Sequence, residues 1–212
     1  MIIDVFSDPI CPWCFIGKRR MERAFIDLPA SERPHVRWRA FMLNPEMPPD
    51  GMERNAYLAR KFGSGQRAAE LYDVIAQTGF EEGILFAFGD IARTPSTLNA
   101  HRLIRFADDK GVQNDIVTDL FERYFLKGED IGDPDVLRDA AEQVGLDGNA
   151  VAAFLESDEE RDAVLADHNL AQHIGISGVP CFILDGRYAV SGAQSPDVFK
   201  RMIETATLTA AE

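Results

Sequence analysis

Ile2-Ile3-Asp4-Val5-Phe6-Ser7-Asp8-Pro9-Ile10-Cys11-Pro12-Trp13-Cys14 is the stretch that decides the fold. Its first part, 2–6, is short, apolar and rich in β-branched residues, the pattern of a buried strand. Ser7-Asp8-Pro9 breaks that strand. A helix then opens with Pro12 at its first position, where a missing N–H costs nothing. Cys14, Met21, Phe25 and Leu28 follow at steps of 7, 4 and 3, one face of that helix. Pro29 closes it. The two cysteines therefore stand at a strand-to-helix junction, Cys11 at the N-cap and Cys14 one turn in, on the inward face.

Outward from this unit, 35–43 reads as a second strand, with Val36, Trp38 and Ala40 on one side and Arg37 and Arg39 on the other. Asn44-Pro45-Glu46-Met47-Pro48-Pro49-Asp50-Gly51 marks a boundary. From 52 to 173 the pattern is helical nearly throughout. Segments 57–62, 66–78, 96–108, 114–125, 135–144 and 159–173 are separated by clusters such as Gly63-Ser64-Gly65 and Gly132-Asp133-Pro134. Strand character returns at Cys181-Phe182-Ile183-Leu184. Asp185-Gly186 is a hairpin signal and Tyr188-Ala189-Val190 is the answering strand. Ser195-Pro196-Asp197 opens a last helix, with Ser as N-cap and Pro at N1. The order is β-α-β, a helical block, then β-β-α. That is the pattern of an α/β thioredoxin-like fold with a large all-helical insertion between its βαβ and ββα halves. The expected division is 1–50 with 174–212 as a discontinuous thioredoxin-like domain and 51–173 as the inserted helical domain.

Composition narrows the function classes. Acidic residues outnumber basic ones 35 to 22 in a chain of 212, a formal charge of −13. A nucleic-acid binder shows a basic excess or stripe, and neither is present. An anionic surface repels acidic membranes, and no apolar run reaches the roughly 18 residues of a membrane span. The first residues carry no basic segment followed by a long apolar one, so the expected compartment is the cytoplasm. Three cysteines are too few for a disulfide scaffold. Zinc needs four ligands, and beyond Cys11 and Cys14 only Cys181 and four histidines remain, with no second C-x-x-C. No metal is expected.

Redox chemistry suits the pair better. An N-cap side chain accepts backbone N–H groups, here those of Trp13 and Cys14, and the helix start adds partial positive charge. Both effects favour a thiolate at Cys11. Cys11 is then the attacking thiol and Cys14, on the buried face, the resolving one. Trp13, between them, is expected to be exposed and to offer an apolar contact to a peptide.

The segment Ser7-Asp8-Pro9-Ile10-Cys11-Pro12-Trp13-Cys14-Phe15-Ile16-Gly17-Lys18 closely resembles the active-site segment of DsbA-like oxidoreductases of the FrnE type. The resemblance runs on through Trp38-Arg39-Ala40-Phe41-Met42-Leu43-Asn44-Pro45, Ala59-Arg60-Lys61-Phe62-Gly63, Ala100-His101-Arg102-Leu103-Ile104 and Lys127-Gly128-Glu129-Asp130-Ile131. It ends in Gly175-Ile176-Ser177-Gly178-Val179-Pro180 and Ser191-Gly192-Ala193-Gln194. It implies a thioredoxin fold with a helical insertion and dithiol–disulfide exchange. It implies a cis Val179–Pro180 bond, which brings the chain beside Cys11 and leaves Val179 backbone groups for an extended substrate. Pro12, Trp13, Val179 and Pro180 are accordingly the substrate-binding candidates. No bound cofactor is implied: the reactive group is the cysteine pair itself, with glutathione as a candidate co-substrate.

Two positions depart from the family pattern. Cys181 stands where an apolar residue such as Phe is expected, and reads either as a small core hydrophobe or as a third redox thiol. Ser96 stands where Asn is expected. His101 is a further auxiliary candidate, as a proton shuttle at the cleft or as a satisfied interdomain histidine.

The reading is a thiol–disulfide oxidoreductase acting on disulfide-containing proteins or small-molecule thiols, as monomer or homodimer. The alternative is a glutathione-dependent isomerase or transferase of the 2-hydroxychromene-2-carboxylate isomerase or kappa class. Those proteins look similar in architecture but carry a serine near the position of Cys11 and lack the pair. A non-catalytic binding module would not need two cysteines so placed. In a reducing cytosol, reductase or isomerase roles fit better than net oxidation.

Overall fold

In the computed structural model, residues 1–26, 28–63 and 65–210 are described; Ser64 of the Gly63-Ser64-Gly65 break lies outside them. Strand β1 (Ile2–Ser7) leads into helix α1 (Pro12–Ile26) and strand β2 (His35–Ala40). A helical block follows, made of α2 (Arg54–Phe62), α3 (Gly65–Glu81), α4 (Leu98–Phe106), α5 (Gln113–Lys127), α6 (Pro134–Gln143), α7 (Gly148–Glu156) and α8 (Arg161–His173). The short strands β3 (Met52–Glu53) and β4 (Arg93–Thr94) lie within it. The chain ends in β5 (Cys181–Leu184), β6 (Tyr188–Ser191) and α9 (Pro196–Ala210).

The four-stranded sheet has the order β2-β1-β5-β6, with β1 parallel to β2 and antiparallel to β5. Its pleat sorts the residues into two faces. Ile3, Val5, Trp38, Phe182 and Leu184 join the large core shared with α1, α9 and the helical block. Phe6 and Cys181, register partners, turn to the other face and pack with Phe41 and with Ala171 of α8. The apolar core is continuous from Ile3 to Leu137 and Val151 of the block. Phe15 of α1 is a main link: its ring stacks on Phe121 of α5 at 5.1 Å and meets Phe86 edge-on at 6.1 Å.

The block also closes the exposed edge of β2. Gln113, at the start of α5, accepts from the Trp38 N–H at 2.8 Å and donates to the Trp38 carbonyl at 3.4 Å. A side-chain amide thus stands in for a further strand, and the edge is covered.

The insertion is not wholly helical. β3 and β4 pair antiparallel, Met52 with Thr94 and Glu53 with Arg93. Two-residue strands are too short for any periodicity to appear. Glu53 doubles as the N-cap of α2, accepting from the N–H groups of Asn55 and Ala56. Helix α7 is likewise unread in the sequence, because Gly148-Asn149 looks like a break. Asp147 overcomes it by accepting from the Asn149 and Ala150 N–H groups.

Arg102 of α4, 3% exposed, binds the end of α7 and its exit. Its guanidinium donates to the carbonyls of Phe154, Leu155, Ser157 and Glu159, while facing the Phe154 ring at 4.9 Å. The last carbonyls of a helix have no partner of their own, and here one cation serves several. Replacing Arg102 with Met should leave buried acceptors without donors and cost about 2–4 kcal/mol. Urea denaturation of R102M checks it; an unshifted midpoint would mean that the carbonyls find other donors.

Candidate active site

The site is built at the end of β1. The pleat points Ile3, Val5 and then Ser7 toward α1. Asp8 follows and has no exposed surface. Its carboxylate accepts from the Leu43 N–H at 2.7 Å and the Ile10 N–H at 3.4 Å, while its own carbonyl accepts from the Cys11 N–H at 2.9 Å. This ties the turn before α1 to the segment leaving β2 and sets where the helix begins. The Cys11 carbonyl starts the helix, accepting from Cys14 N–H at 3.0 Å and Phe15 N–H at 3.4 Å.

Cys11 and Cys14 are free thiols in contact with one another. The Cys11 sulfur lies 3.6 Å from the Val179 carbonyl. The Trp13 and Cys14 amides do not reach it, contrary to the sequence expectation; a protonated thiol is a donor, and it turns to a carbonyl. The Val179–Pro180 peptide is cis, and the β5 ladder starts only at Cys181, so Val179 lies ahead of the sheet pairing. Pro12 and Pro180 are buried and Val179 is half-buried. Trp13 is half-buried too, not exposed, because its indole packs against the main core.

Cys14 is 1% exposed. Burial pushes its thiol well above the ordinary range, and the adjoining Cys11 adds to this. The Ser7 hydroxyl and the Asp8 backbone work the other way, by hydrogen bonding that favours the thiolate. The two cysteines thus differ in kind: Cys14 is held protonated by its surroundings, while Cys11 faces the Val179 segment.

Gly17 lets Pro180 approach. A Cβ there would sit 2.9 Å from Pro180 Cγ and 3.1 Å from Phe182 Cζ. From α3, Tyr72 comes near enough for Cys11 to affect its phenol; burial raises that phenol's pKa, and Arg54 donates to its oxygen at 2.7 Å. Among the described residues no group of three His, Cys, Asp or Glu is placed to hold a metal ion, and no helix is long and apolar enough to cross a membrane.

A model of the DSBA-like thioredoxin domain matches residues 2–204. This chain belongs to the DsbA-like family. A probable DsbA oxidoreductase from Streptomyces coelicolor is 31% identical, with a TM-score of 0.88 over 97% of this chain and 89% of that one. An uncharacterized protein of Bacillus subtilis, YwbO, is 30% identical over 95% of this chain and 94% of its own length. The cytosolic disulfide reductase DsbM from Pseudomonas aeruginosa, solved with GSH, shares the fold at 20% identity and a TM-score of 0.65, over 98% of this chain and 99% of that one.

Of the residues singled out in the sequence, this DsbA-like fold brings Cys11, Pro12, Trp13, Cys14, Val179 and Pro180 to one place. His101 is 3% exposed, and its Nε2 lies 3.7 Å from Asp8 Oδ1. Cys181 is on the opposite face of the sheet, next to Phe6, Phe41 and Ala171, and burial raises its pKa. Ser96 lines a cavity with Met42, Pro45 and Leu98, away from the cysteine pair. Sequence reading passed over Ser7 and Asp8 as a strand break. The available signal was an acid three residues ahead of Cys11, where an Asx turn can precede a helix.

Cys181→Ala should cost no more than about 1–2 kcal/mol, a small-cavity effect. Mild oxidation of the wild type should give a single Cys11–Cys14 disulfide by peptide mapping. A Cys181-containing linkage would mean that the sheet does not separate these thiols. Gly17→Ala should destabilise by about 1–2 kcal/mol, overpacking at Pro180 outweighing the helix-propensity gain. A gain in thermal midpoint would show that Pro180 can retreat.

Proposed function

We propose that the protein is a thiol–disulfide oxidoreductase of the DsbA-like family, with Cys11 as attacking thiolate and Cys14 as resolving thiol. One observation carries this reading: two free, mutually contacting thiols at the start of α1, with the Cys11 sulfur facing the Val179 carbonyl beside Pro180. Cys11 stands at the N-terminal end of α1. Its thiolate attacks a substrate disulfide, forming a mixed disulfide and releasing one substrate thiolate. Cys14 then attacks the Cys11 sulfur, releases the second substrate thiol and leaves Cys11–Cys14 oxidised. The reverse sequence oxidises a dithiol. No bound cofactor takes part, and glutathione fits as a co-substrate that resets the pair.

Peptide substrates would lie along the Val179 segment, which precedes the ladder and is only half-buried. Pro12 and Pro180 would shape the floor of that contact and Trp13 its side. The isomerase and transferase alternative is disfavoured by the presence of both cysteines. 2-Hydroxychromene-2-carboxylate isomerase resembles this chain at 16% identity, a likeness of fold. We place the protein in a reducing cytoplasm, as reductase or isomerase, where free thiols persist.

Insulin reduction by the wild type in the presence of a thiol donor tests the activity. Cys14→Ser should accumulate mixed disulfides with substrate and Cys11→Ser should not, read by mass spectrometry. Turnover by Cys11→Ser at the wild-type rate would end this assignment.

A further inference from the structure

Cys14 must lose a proton to resolve a mixed disulfide, yet its surroundings keep that proton on. A small cavity of about 10 Å³ is lined by Ser7, Trp38, Arg39, His101 and Phe121, among others. That is room for a single water molecule. Just two buried side-chain polar atoms among the described residues have no hydrogen-bond partner: Arg39 Nε and His101 Nε2. Both belong to residues lining this cavity. A buried polar atom left unpaired costs about 1–3 kcal/mol, so a water bridging the two is strongly favoured. Ser7, on the same wall, is near enough to Cys14 for its hydroxyl to favour the ionised thiol.

We propose that His101 is the proton acceptor for Cys14 in the resolving step, reached through the Ser7 hydroxyl and one water in this cavity. The inference rests on the oxidoreductase reading above. The step balances without an external oxidant or reductant. The Cys14 S–H bond breaks, and its electron pair forms the new S–S bond with Cys11. The Cys11–substrate S–S bond breaks, and its pair leaves on the substrate sulfur. The proton passes by way of Ser7 and water to His101 Nε2, and the released substrate thiolate is later protonated from solvent. Imidazolium formed there lies 3.7 Å from the Asp8 carboxylate, which stabilises it.

The other charged and titratable groups around His101 are already engaged. Arg39 of β2 is bound to Asp167 of α8, and Asp167 also accepts from Arg105 at 3.1 Å. Burial lowers the pKa of His168 of α8, with His101 adding to that effect and Asp8 opposing it, and its Nδ1 accepts from the Met42 N–H at 3.1 Å. Asp8 is left as the carboxylate facing His101. Since His101 acts through Ser7 and water, it is a positioning and relay residue, not one that touches substrate.

The test isolates the resolving step. Cys11 is loaded with 5-thio-2-nitrobenzoate, and its release by Cys14 is followed by stopped-flow absorbance between pH 5 and 9. In the wild type the release rate should rise with pH along a limb that depends on His101. His101→Gln keeps a hydrogen-bonding group of similar size and removes the base. It should slow release at neutral pH by about tenfold or more and shift the limb to higher pH. The attack by Cys11, measured as labelling in a Cys14→Ser background, should be the same with and without His101→Gln. Unchanged release and pH profile in His101→Gln would overturn the relay. So would an equal loss in the Cys11 attack step, which would mark a purely structural role. If His101→Gln does not fold by circular dichroism, Ser7→Ala carries the same test, with the same slowing and loss of the limb expected. Failure of the loaded wild type to release the label at all would instead overturn the oxidoreductase reading.

Discussion

A carboxylate with no exposed surface organises the reactive end of this molecule. Asp8 sits where β1 must become α1, and its oxygens hold the N–H groups of Ile10 and Leu43. One anion thereby fixes the turn that starts the helix and the segment that leaves β2. Burying it is tolerable because it is hydrogen-bonded on both oxygens and faces His101. The position of Cys11, the approach of Val179 and the closeness of Ser7 to Cys14 all follow from where that turn is held.

The helical block completes this arrangement instead of standing apart from it. Gln113 seals the edge of β2, Phe121 and Phe125 stack around Phe15 of the cysteine-bearing helix, and His101 arrives from α4. Deep burial of Cys14 depends on those contacts. A thiol buried that completely cannot ionise as it would in water, since the low-dielectric surroundings penalise its charged form. The fold that brings the two thiols together therefore also disfavours ionisation of the inner one.

The fold was legible wherever pattern has length. The β1 run, the inward face of α1 and the Asp185-Gly186 hairpin show their periods plainly in the sequence. α7 and the β3–β4 pair did not, because one depends on the Asp147 cap and the other on tertiary pairing of two-residue strands. In the site, the cysteines announce themselves by spacing and the Val179–Pro180 segment by resemblance. Ser7, Arg39 and the His101 environment carry no local signal. They come together only through the pleat of β1, the edge position of β2 and the docking of α4, and these are long-range facts. Trp13 illustrates the same limit: its place in the motif suggests exposure, and the neighbouring core covers most of its surface.

The sheet also separates cysteine chemistry by face. Odd-numbered positions of β1 lead to Ser7 and so to Cys14, whereas Phe6 leads to Cys181 on the other side. A one-residue slip of β5 would bring Cys181 to the face of the other two cysteines and move Phe182 out of the core, where its ring meets Phe199 at 4.7 Å. The packing of Phe182 against α9 thus holds the register that keeps the third thiol apart. In the proposed exchange, an unpaired cysteine on the same face would compete for the Cys11 disulfide. Strand register, a property of the apolar core, is in this way also what would leave Cys14 as the resolving thiol in that proposal.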